Sequence, residues 1–75
     1  MERKEVLKKL AKVFAENMRT ARKLKQQGYE ELSQQSYHQA LGVHESAEAL
    51  GFNLQEFHDA VKEARREMRE PHGVA

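Results

Sequence analysis

His44 and Glu48 stand four residues apart, and His58 lies further along the chain. An imidazole and a carboxylate one helical turn apart can both reach one divalent cation, and a histidine from a neighbouring helix would supply a third ligand. Such a site normally draws on a second histidine at the same spacing or on a thiolate. The chain has no cysteine, His38 falls on the polar side of its helix, and His72 lies close to the C-terminus. The histidines are therefore expected at the edge of a helix interface, with no metal ligands among them. Carboxylates are abundant, but Glu30/Glu31 and Glu67/Glu70 sit on faces expected to be solvated, where burial cannot tune them for acid–base work. The chain has neither a glycine-rich phosphate loop nor a nucleophile elbow. No catalytic residue and no cofactor are assigned, and the chain is not expected to be an enzyme.

The remaining chemistry is charge. The chain of 75 residues carries a formal net charge of +1, unevenly spread. Residues 1–27 hold nine cations against three acids, and residues 28–75 hold four against nine. Lys8, Lys12, Arg19 and Lys23 fall on one stripe of the first helical segment and could meet successive phosphates of a nucleic acid. That stripe has few polar base-reading groups and no interleaved aromatics, and the last helical segment presents Glu56, Asp59, Glu63, Glu67 and Glu70 outward. Nucleic-acid binding is therefore the alternative reading, behind a protein partner.

The elements that must position these groups are all helical. Leu7, Leu10, Phe14, Asn17, Ala21 and Leu24 recur at three- and four-residue spacing, which predicts a helix over about 4–27. Gly28 ends it, with Tyr29 as the apolar contact after the glycine. A second helix is expected over about 30–50, starting directly at Tyr29-Glu30-Glu31 rather than at a later Ser33 cap. Its inward face collects Leu32, Ser33, Ser36, Tyr37, Ala40, Val43, His44, Ala47 and Leu50. The small residues in that set suggest the central helix, the one its neighbours approach closely. Leu54, Phe57, Val61, Ala64 and Met68 give a third helix over about 54–69, stopped by Pro71, with 71–75 a flexible tail.

The sharpest local signal joins the last two helices. Gly51 suits the residue past a helix end, Asn53 suits an N-cap, and Glu56 can reach back to it as in a capping box. Phe52 and Phe57 then occupy the two positions of a hydrophobic staple. Short connections make the fold class all-α, an antiparallel three-helix bundle forming one domain over residues 1–70. No apolar run is long enough for a membrane span. The charged start is not followed by an apolar stretch, so no signal peptide is expected, and a cytoplasmic location is the default.

Gly28, Ser33, Tyr37 and Ala40-Leu41, with Ala21 and Leu24 upstream, sit at spacings similar to the second half of a tetratricopeptide repeat or to the hairpin of MIT domains. The resemblance covers about twenty residues and departs from those patterns at Asn17 and Lys25, and the chain has no second repeat. It implies a groove that takes a partner helix. The functional expectation is a non-enzymatic protein-interaction module, self-associating or binding another protein. Its contact surface is expected on helices 2 and 3, at Tyr37, Leu41, His44, Phe57 and Val61. Asn17 and His44, polar groups in otherwise apolar lines, are candidates for setting pairing specificity.

Overall fold

The computed structural model describes the backbone of residues 2–73 and the side chains of residues 2–68. Its elements are α1 (Arg3–Gln26), α2 (Glu30–Ala49) and α3 (Leu54–Gly73), with no strand among the described residues. The chain is an all-α three-helix bundle. Both helix joints are set by glycine. Gly28 has φ 88° and Gly51 has φ 90°, a region that L side chains rarely adopt. After α1, the Tyr29 N–H donates to the Leu24 carbonyl at 2.9 Å and the Gly28 N–H to the Lys25 carbonyl at 3.1 Å. After α2, the Phe52 N–H donates to Ala47 at 3.1 Å and the Gly51 N–H to Glu48 at 2.9 Å. Each pair is the Schellman arrangement, which satisfies carbonyls that the helix end would otherwise leave bare.

The second joint also starts the next helix. The Glu56 N–H donates to Asn53 Oδ1 at 2.8 Å, and the Asn53 N–H donates to Glu56 Oε2 at 3.0 Å, a reciprocal capping box. Phe52 and Phe57 on either side of it are both buried. A Cβ built at Gly51 would meet nothing within 4 Å, so the constraint there is conformational rather than steric. Gly51→Val should accordingly lower stability by more than about 1 kcal/mol in a urea melt. A neutral result would show that the joint tolerates a different backbone.

Helix α2 starts directly at Glu30, and Ser33 is not its cap: the Ser33 hydroxyl donates instead to the Ala21 carbonyl of α1 at 2.7 Å, in a buried position. At the other end of the chain, α3 runs past the stop expected near Arg69. Helical backbone continues through Pro71 to Gly73. The fixed φ of proline is itself helical, and its missing N–H removes one bond near the end of the helix. Val74 and Ala75, the end of the tail expected from residue 71, lie outside the described residues.

Which helix is central also differs from expectation. α1 packs against both α2 and α3, whereas α2 and α3 scarcely touch each other. The small-residue strip of α2 narrows to Ser33, Ala40 and Ala47, spaced seven apart and facing α1, which contributes its own buried Ala11, Ala15 and Ala21. Alanine on alanine lets two backbones approach closely. Leu32, Tyr37 and Leu50, assigned to the inward face of α2, are exposed, as is Leu54 of α3. The core gathers Ala11, Ala47, Phe52, Phe57 and Val61, with Val6, Leu7, Leu10, Phe14 and Ala60 packed around it. All three helices meet where the Phe57 ring lies 5.3 Å from both Phe14 and His44, centroid to centroid.

Arg3, at the start of α1, closes this end of the bundle. Its guanidinium stands 4.2 Å over the Phe52 ring, donates to the Gly51 carbonyl at 3.0 Å and lies 3.3 Å from Glu56 Oε2. One side chain thus ties the first helix to the turn between the other two. Away from this end, four clefts among the described residues are each bordered by α1 with α2 or by α1 with α3. The molecule is correspondingly flat, about 38 × 33 × 20 Å.

Candidate functional site

Tyr37, Leu41 and His44 follow four- and three-residue spacing and so share one strip of α2. Tyr37 is 45% exposed and Leu41 37%. His44 is half-buried: its Nδ1 lies 3.2 Å from Glu48 Oε1, and its ring faces Phe57 and, at 6.4 Å, Phe14. Phe57 and Val61, assigned with these residues to a contact surface, are 2% and 5% exposed. They belong to the core, because α3 turns this part of its apolar line onto α1. Of the five residues expected at the interface, Tyr37 and Leu41 remain exposed on α2, with the uncovered edge of His44 beside them.

Beside this strip lies a cleft of about 270 Å³ between α1 and α2, bordered by Met18, Ala21, Arg22 and Lys25 on one side and by Ser33 and Tyr37 on the other. A second cleft, also about 270 Å³, lies between α1 and α3 and is lined by Ala15, Arg19, Arg22, Arg65 and Met68. Arg22 borders both. Asn17 is half-buried and makes no side-chain hydrogen bond within the described residues, where no buried polar side-chain atom is left without a partner; its amide therefore reaches solvent.

The expected basic stripe is divided by α3. Lys8 and Lys12 border a cleft together with Glu63 and Glu67, and Lys8 Nζ lies 3.9 Å from Glu67 Oε1. Acids of the third helix therefore flank the first half of the stripe. Arg19 and Lys23, in the second half, border a cleft with Glu16, Thr20 and Met68. Arg22 and Arg65, which join Arg19 in the α1/α3 cleft, were not singled out by the sequence. The row Arg19, Arg22, Lys25 at three-residue spacing is visible in α1 alone; the addition of Arg65 depends on how α3 crosses it.

Among the described residues, no group of three or more histidines, acids or cysteines is placed to hold a metal ion. Nor is any described helix long and apolar enough to cross a membrane. The site therefore consists of exposed apolar side chains on one helix, next to a concentration of guanidinium groups. Compared with protein-family models, curated proteins and solved structures, the chain matches none, so the likeness to tetratricopeptide and MIT hairpins rests on the residues quoted above alone.

Proposed function

We propose that this chain is a small, non-enzymatic protein-interaction module that holds a partner against the Tyr37–Leu41–His44 strip of α2 and the adjoining face of α1. Uncovered surface carries the reading. The molecule exposes 5766 Å² at a mass of 8.7 kDa. A compact folded monomer of that mass exposes about 4,700 Å². The excess reflects the thin, open packing of the bundle, in which α2 and α3 scarcely touch and apolar side chains of α2 stay uncovered. The radius of gyration agrees: it is 13.2 Å, against about 11.4 Å for a compact chain of this length. Large apolar side chains make up part of that surface, Tyr37 and Leu41 on one side of α2 and Leu32 and Leu50 among the others. The role of a regulator or adaptor fits a module with no chemistry of its own, and a second copy of the chain is one partner that would cover such a surface.

A photo-crosslinking amino acid at position 41, expressed in the native host, tests this. Adducts to another polypeptide are expected from position 41 and not from position 31, an exposed site on α2. Equal labelling from both positions, or none from position 41, would remove the proposal. Adducts between copies of the chain, with a doubled mass by light scattering, would identify the partner as a second copy.

Nucleic-acid binding stays the second reading, favoured by the gathering of Arg19, Arg22 and Arg65 in one cleft with Lys23 beside it. It requires binding to duplex or single-stranded nucleic acid at low salt that weakens steeply as salt is added. Binding unchanged by Arg19→Glu with Lys23→Glu would exclude this route.

A further inference from the structure

Two clefts that share Arg22 form one surface. Arg19, Arg22, Lys25 and Arg65 border it, and Glu30 is the single acid in its lining. None of these four cations makes an ion pair among the described residues, although acids elsewhere are engaged: Glu56 with Arg3, Glu67 with Lys8 and Glu63 with Arg66. Arg19 is half-buried, and its neighbours in the cleft include Ala15 and Met68. Guanidinium groups gathered around one small cleft repel one another, and a carboxylate placed among them relieves that repulsion while accepting paired N–H bonds.

The rest of the lining says what must accompany the carboxylates. Met18 and Tyr37 border the first cleft and Met68 the second. Methionine is an adaptable, polarisable surface for an apolar side chain, and it offers nothing to a phosphate backbone. Single-stranded nucleic acid would call for several stacking rings, whereas Tyr37 is the single aromatic residue in either cleft. Along α1 the surface runs from Ala15 to Lys25, about 15 Å at 1.5 Å per residue, a length suited to three turns of helix or a short extended segment.

We infer that this surface docks an acidic segment of a protein partner, with carboxylates on Arg19, Arg22 and Arg65 and an apolar side chain seated against Met18 and Tyr37. The inference rests on the interaction-module reading and specifies the chemistry of the partner.

Selection of random peptides of about sixteen residues, displayed against the full-length chain, tests the chemistry without a known partner. Enrichment of acidic peptides bearing at least one large apolar residue is expected. Anisotropy titration of a labelled, selected peptide should then show affinity lowered about tenfold or more by Arg22→Glu with Arg65→Glu, and lowered again by added salt. Both arginines are exposed and make no side-chain hydrogen bond among the described residues, so the charge-reversed chain should melt like the parent. Neutral or basic selected peptides, or acidic ones indifferent to the charge reversal, would overturn this site and leave the broader module reading standing. No enrichment at all would overturn both. Displacement of the peptide by a lower concentration of duplex DNA, itself sensitive to the same substitutions, would replace the acidic segment with a phosphate backbone.

Discussion

Phe57→Ala should remove about 3–5 kcal/mol of stability, the largest loss expected from any single truncation in this chain. Phe57 is the largest of the fully buried side chains, and its ring is the point at which Phe14 of α1 and His44 of α2 meet α3. Truncation removes the apolar area of the ring and leaves a cavity that surrounding alanines are too short to fill. A domain of this length has about 4–11 kcal/mol in total at typical stability per residue, so the variant should be partly unfolded in the absence of denaturant. Urea titration followed by far-UV circular dichroism reads this directly. A loss under about 1 kcal/mol would show that the aromatic cluster is not the centre of the core.

Ala40→Leu should be the most disruptive enlargement. Ala40 is fully buried, midway between Ser33 and Ala47 on the strip that α2 lays against α1. Close approach there is possible because the side chain ends at a single carbon. Leucine adds three more carbons with nowhere to go except between the two helices. Overpacking of this kind costs about 1–3 kcal/mol. It should also separate Ser33 Oγ from the Ala21 carbonyl, now 2.7 Å away, so α2 would lose a buried hydrogen bond along with its packing. The same melts check it: Gln39→Leu at the adjacent exposed position should change stability by about 0.5 kcal/mol or less. Similar effects at both positions would mean that α2 is not held at a fixed distance from α1.

The functional surface was less legible than the fold. Tyr37, Leu41 and His44 could be read from α2 alone, because residues at that spacing share a strip wherever the helix lies. Phe57 and Val61 were assigned to the same surface on the premise that α3 packs against α2. It packs against α1, and the two residues went into the core with it. Arg3 was visible only as one of several N-terminal cations. Its contacts with Phe52, Gly51 and Glu56 join positions some fifty residues apart, and no pattern within α1 announces them.

Local chemistry determined where the helices of this protein begin and end, with one exception at Pro71. Glycine at positive φ, the Asn53–Glu56 capping box and the Phe52–Phe57 staple act over at most five residues, so their residues are neighbours in sequence and in space alike. The three-helix class follows from them and from the apolar periods. Tertiary structure alone decided that α1 is the shared partner, that α3 divides the basic stripe of α1, and that Arg65 joins Arg19 and Arg22. Those outcomes depend on how far apart and at what angle side chains allow two helices to sit. Buried alanines on α1 and α2 bring one pair close, while the turn at Gly51 directs α3 onto the other flank of α1. Spacing along a single helix carries the direction of each side chain; the helix that meets it is chosen by packing among all three.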